Sequence, residues 1–111
     1  MNDTTNEAGS ETVTVYVAGD YADAKRLLRA ECIAEGLCVT LTATCFVYAH
    51  GAEDGVAVGF VNYPRFPKPP GEVWDRAVGV AASLRDGLGQ RTALVVGASR
   101  TLWLPAEGGR S

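Results

Sequence analysis

Two spacings of apolar residues take turns along this chain, and their order restricts the fold more than any single residue does. Residues 12–17 read Thr-Val-Thr-Val-Tyr-Val, a period of two that sends Val13, Val15 and Val17 to one face of a strand and Thr14 and Tyr16 to the other. Ala24, Leu27, Leu28 and Cys32 then recur at helical spacing, with Asp20 placed to cap the start and Gly36 placed to end the helix in the left-handed region. A helix is therefore predicted over residues 21–35, with Lys25, Arg26 and Arg29 on its solvated side.

Alternation returns over residues 37–49, where Val39, Leu41, Ala43, Cys45 and Val47 oppose Thr40, Thr42, Thr44, Phe46 and Tyr48. Residues 50–55, His-Gly-Ala-Glu-Asp-Gly, predict a reversal whose glycines take positive φ, and residues 56–63 return as the partner strand of a hairpin. Residues 64–71 hold four prolines and are predicted to be an extended connector, because proline removes ladder donors and fixes the backbone. Val73, Trp74, Ala77, Val78, Ala81 and Leu84 mark a second helix over residues 72–87, with Trp74 in its buried stripe. Residues 91–96 close the sheet, and a turn at 97–100 leaves room for a short fifth strand at 101–104.

This order predicts an α+β, ferredoxin-like β-α-β-β-α-β plait: a four-stranded antiparallel sheet with two helices on one face, extended by a short fifth strand. At 111 residues the chain supports one core, expected over residues 12–104 between flexible tails at 1–11 and 105–111. Apolar residues at 47% and charged residues at 21% are ordinary for a globular protein. The net charge of −3 comes from Asp3, Glu7 and Glu11 in the leading segment, so the body is near neutral and lacks the positive field of a nonspecific nucleic-acid or anionic-membrane binder. Residues 1–11 show neither a basic cluster nor an apolar run, and no segment reaches the length of a membrane span, so a cytoplasmic location is expected. Cys32, Cys38 and Cys45 lack metal or redox spacing and are expected to be buried thiols; no metal or cofactor is implied.

Two helices on one face leave the reverse of the sheet open. By strand parity the open set is Thr14, Tyr16, Thr40, Thr42, Thr44, Phe46 and Tyr48, joined by Val56, Val58 and Phe60 under the matching register. That set is uncharged and rich in aromatics, the composition of an association or ligand surface. Tyr16, Phe46, Tyr48, Val58 and Phe60 are accordingly expected to form a binding interface, with Arg65 and Phe66 of the connector at its rim. The expected occupant is a second copy of the chain, giving a homo-oligomer, followed by a partner protein and then by a small ligand or nucleic acid.

Nucleic acid enters through two segments. Val15-Tyr16-Val17-Ala18-Gly19 and Val56-Ala57-Val58-Gly59-Phe60-Val61-Asn62-Tyr63 resemble the first-strand and third-strand signatures of the RNA-recognition motif family, with Tyr16 and Phe60 at the base-stacking positions. Val56 stands where that family has Lys or Arg, and Val58 replaces a further aromatic. Residues 36–40, residues 55–67 and residues 93–96 resemble small proteins of actinobacterial phages, a likeness that implies an accessory protein acting on host or phage components.

The catalytic inventory is thin. His50 is expected in a hairpin turn beside Glu53 and Asp54, where nothing excludes water, and two adjacent carboxylates fall short of a calcium site. Gly97-Ala98-Ser99-Arg100 lacks the pattern of a hydrolase nucleophile elbow and reads as a turn. Val15-Tyr16-Val17-Ala18-Gly19 also resembles the opening strand of nucleoside deoxyribosyltransferases, although Asp20 stands in place of that family's proline. The expectation is a non-enzymatic binding or assembly protein, with no catalytic residue assigned. Single-stranded RNA binding and a small nucleoside-processing enzyme are the alternatives.

Overall fold

The computed structural model describes residues 11–62, 68–69 and 71–106. The elements are β1 (Thr12–Ala18), α1 (Tyr21–Glu35), β2 (Thr40–Tyr48), β3 (Gly51–Val61), α2 (Glu72–Gly87), β4 (Thr92–Val96) and β5 (Thr101–Pro105). The strands form one antiparallel sheet in the order β2-β3-β1-β4-β5, which is the expected plait with its fifth strand added beside β4. Among the described residues no helix is long and apolar enough to cross a membrane.

Local chemistry explains the helix limits. The Asp20 carboxylate accepts from the Asp23 backbone N–H at 3.0 Å, and Gly36 closes α1 at φ 66°, its own N–H turned back to the Cys32 carbonyl. Both helices lie on one face of the sheet. There Val13, Val15 and Val17 of β1 meet Ala93 and Val95 of β4 beneath Trp74, Ala77, Val80, Ala81 and Leu84 of α2. Val80 takes the buried place expected of Val78, which is half-buried. Full burial of a single Val or Leu contributes about 1.5–3 kcal/mol, so this layer dominates the stability of the domain.

The short edge strand β5 is tied down by one arginine. Buried Arg85 of α2 donates through Nε and Nη2 to the Asp86 carboxylate at 2.9 and 3.2 Å, and through Nη1 to the Pro105 carbonyl at 3.1 Å. The hydrogen bonds from Arg85 hold the Asp86 carboxyl below its ordinary range.

The register of β3 overturns part of the expected open face. Val13, Val15 and Val17 stand directly opposite Phe60, Val58 and Val56, and residues opposed in a ladder share a face. Val56, Val58 and Phe60 therefore lie under the helices, Val58 at 0% and Phe60 at 4% exposure. The physical reason is pairing parity. Only Ala49 and His50 separate β2 from β3, and across any even number of turn residues the odd-numbered residues of β2 stand opposite the even-numbered residues of β3, so Val56 and Val58 join Ala43 and Leu41 on the helix side and not Thr42 and Thr44 on the open one. Neither Gly51 nor Gly55 adopts positive φ. Gly55 is needed for space instead: a Cβ there would run into the Phe46 ring and sit 2.8 Å from the Val17 carbonyl oxygen.

Glu53 and Asp54, expected in the turn, belong to β3 and point to opposite faces. Glu53 is the only charged side chain among the described strand residues of the open face, which otherwise presents Thr14, Tyr16, Thr40, Thr42, Thr44, Phe46, Tyr48, Leu94, Val96 and Trp103. Phe46 lies across Gly55 to meet Tyr16 edge to face, with centroids 6.4 Å apart. The thiols also depart from expectation: Cys38 and Cys45 are exposed, and only Cys32 is half-buried. Burial, followed by neighbouring Cys38 and Glu31, pushes the Cys32 thiol up.

Candidate functional site

Four stretches far apart in sequence converge at one end of the sheet: the start of β1, the close of β3, the opening of α2, and the turn between β4 and β5. They enclose a cleft of about 630 Å³ lined by Glu11, Thr12, Val13, Asn62, Lys68, Gly71, Trp74 and residues 97–100. That volume lies in the ordinary range of small-molecule sites, roughly 300–1,000 Å³.

Each wall has a local cause. Asn62, the first residue beyond β3, donates its backbone N–H to the Glu11 carbonyl at 3.1 Å, which fixes Glu11 at the rim. Its side-chain amide clasps Lys68: the Lys68 N–H donates to Asn62 Oδ1 at 2.8 Å, and Asn62 Nδ2 donates to the Lys68 carbonyl at 3.4 Å. Lys68 is thus held to the close of β3 and brought into the cleft.

Trp74, in the first turn of α2, forms the apolar wall and is only 8% exposed. Gly97 allows the opposite wall to close on it, since a Cβ there would stand 3.0 Å from the indole Cζ3. The Gly97 N–H donates to the Arg100 carbonyl at 2.8 Å, which tightens the turn. The Arg100 guanidinium then rests over the indole, its carbon 3.9 Å from the ring centroid. Among the described residues the cleft holds one acid, Glu11, and two bases, Lys68 and Arg100.

None of the described residues of the expected interface lines this cleft. Tyr16, Phe46 and Tyr48 lie on the open sheet face, Val58 and Phe60 are in the core, and Arg65 and Phe66 fall outside the described residues. With Phe60 beneath the helices, the second base-stacking position of an RNA-recognition motif does not exist. The sequence assigned no site role to Glu11, Asn62, Lys68 or Arg100, and only the glycine-led turn at 97–100 and the helical position of Trp74 signalled this region.

No protein-family model and no curated protein matches the sequence. Among solved structures the chain is similar to a phage SAM lyase in complex with S-methyl-5'-thioadenosine, at a TM-score of 0.74 and 14% identity over 96% of this chain and 98% of that one. It is likewise similar to a phage SAM lyase in the apo state, at a TM-score of 0.71 and 14% identity over 87% and 90% of the two chains. At that identity the likeness establishes the fold.

Both neighbours are phage proteins, in keeping with the phage likeness read from the sequence, whereas neither is an RNA-recognition motif. The neighbours also correct the expected role. A non-enzymatic binding or assembly protein is the wrong reading of a fold whose near end-to-end counterparts are an enzyme of sulfur-nucleoside chemistry, and the nucleoside-processing alternative fits them better.

Proposed function

We propose that this is a phage nucleoside-processing enzyme that cleaves a carbon–sulfur bond of S-adenosylmethionine in the end cleft. The observation that supports this reading is the near-complete overlap with a SAM lyase, which covers 96% of the chain and leaves no large insertion to supply a different site. The cleft suits the task in size, with a polar rim around one indole wall. Glu11, the one carboxylate among its described lining residues, is of the type that accepts hydrogen bonds from ribose hydroxyls.

The chemistry asks little of the protein. A sulfonium sulfur departs as a neutral thioether, taking the electron pair of the broken bond, while an oxygen of the substrate's own carboxylate bonds to the carbon it leaves and closes a lactone, so no acid is needed to protonate the leaving group. Orientation of the substrate and exclusion of competing water supply the catalysis. A cleft with few titratable groups is consistent with such a reaction.

Incubation of the protein with S-adenosylmethionine, followed by chromatography for methylthioadenosine, tests the reading. Enzyme-dependent release that is lost in Trp74→Ala and strongly reduced in Glu11→Gln is expected. No release above the spontaneous rate, together with no calorimetric binding of methylthioadenosine, would overturn it.

A further inference from the structure

The turn at 97–100 does more than link two strands. Three features make it a device for presenting one guanidinium: the Gly97–Arg100 backbone hydrogen bond, the missing Cβ where Gly97 meets Trp74, and the stacking of Arg100 on that indole. We propose that Arg100, with Lys68 opposite, forms a carboxylate subsite that makes the cleft select adenosyl sulfur compounds bearing an amino-acid chain. This inference rests on the nucleoside reading above and adds to it the group that discriminates among such ligands.

Three other arginines of the folded body are answered within the chain: Arg26 meets Asp23, Arg76 meets Glu72 and Glu35, and Arg85 meets Asp86. Arg100 is distinguished by its place in the cleft, against an indole. Arg100 has no carboxylate partner among the described residues; its contact is the ring face. A guanidinium held over an indole face has N–H donors directed away from the ring, and a carboxylate accepts such donors bidentately. Stacking also removes rotamer freedom before the ligand arrives, which lowers the ordering cost of binding.

Lys68 supplies the second charge from a fixed position, because its backbone is clasped on both sides by the Asn62 amide. Against the single Glu11, the two cations leave the cleft with a net positive charge in a body that is otherwise balanced. An anionic group is therefore favoured beside these two cations, and the carboxylate of the amino-acid chain is the one anionic group of the proposed substrate, whose ammonium and sulfonium are cationic and whose adenosine is uncharged.

Titration calorimetry with two unreactive ligands tests this. S-adenosylhomocysteine bears the carboxylate, and methylthioadenosine lacks it. Arg100→Ala is expected to weaken S-adenosylhomocysteine binding by roughly 10-fold or more, the effect of losing a charge-assisted pair, and to leave methylthioadenosine within about twofold. Arg100→Lys should fall between, since it keeps the charge without the fork. Equal weakening of both ligands, or unchanged S-adenosylhomocysteine binding in both variants, would overturn the subsite alone. Failure of the wild-type protein to bind either ligand would overturn the nucleoside reading, and the subsite with it. Thermal melts of the variants confirm that each is folded, and Arg100→Lys preserves the test if Arg100→Ala is not.

Discussion

At one end of the sheet, the start of β1, the close of β3, the first turn of α2 and the β4–β5 turn meet around a cleft. At the other end, β2 and β3 run on alone: residues 45–48 pair only with residues 51–54, beyond the reach of β1. The cleft end is knitted from segments dozens of residues apart, whereas the arm consists of neighbours in sequence. Burial follows that division. Trp74 is nearly sealed in the first, while Val47 at the tip of the second is 80% exposed although it points to the helix side of the sheet. Fixed, partly buried polar groups arise where several elements converge, and a two-stranded ribbon has too few neighbours to create them.

The largest expected effects separate the two ends by stability. Trp74→Ala should destabilise the domain by about 3–5 kcal/mol in urea unfolding, because a buried aromatic leaves a cavity. Tyr48→Ala on the arm should change it by less than about 0.5 kcal/mol. Comparable losses from the two substitutions would break the contrast.

Next in size is Gly55→Ala, at the root of the arm. The added methyl meets the Phe46 ring and the Val17 carbonyl, and overpacking of this kind costs roughly 1–3 kcal/mol. Denaturant melts read the loss, and an unchanged midpoint would mean that the arm bends freely away from the sheet.

Asn62→Ala removes both halves of the clasp on Lys68 and should cost about 1–2 kcal/mol, with faster amide hydrogen exchange at Lys68. Retained protection at Lys68 would show that the cleft rim is held by other contacts.

The smallest effect concerns pH. The folded-state pKa of Asp86 is lowered by Arg85, so its stabilisation is present above the unfolded value of about 3.9 and is lost as pH falls through the folded value. Urea unfolding of Asp86→Asn should accordingly show a slightly flatter acid limb below about pH 4 than the wild type. An identical acid limb would remove the role of this pair in pinning β5.

Elements were legible in the sequence where the signal is local. The Asp20 cap, the Gly36 stop and the alternation of residues 12–17 each act within a few residues, and the helices fall where those signals put them. Faces were less legible, because the side taken by Val58 and Phe60 depends on whether the turn before them has an even or an odd number of residues, and β-branched alternation fits both. The cleft was least legible. Glu11 reads as part of a polar leader, Lys68 as a residue among prolines and Arg100 as the end of a turn, and only the sheet order brings them together.

The grip of Asn62 on Lys68 also bears on how this protein can change. Asn62 and Lys68 are pinned to each other, and doubling the length of a segment between two such points adds only about 0.6 kcal/mol of closure entropy. Insertions there would leave the cleft's frame where it is, so this short stretch is the natural place for relatives of the protein to diverge in what they admit.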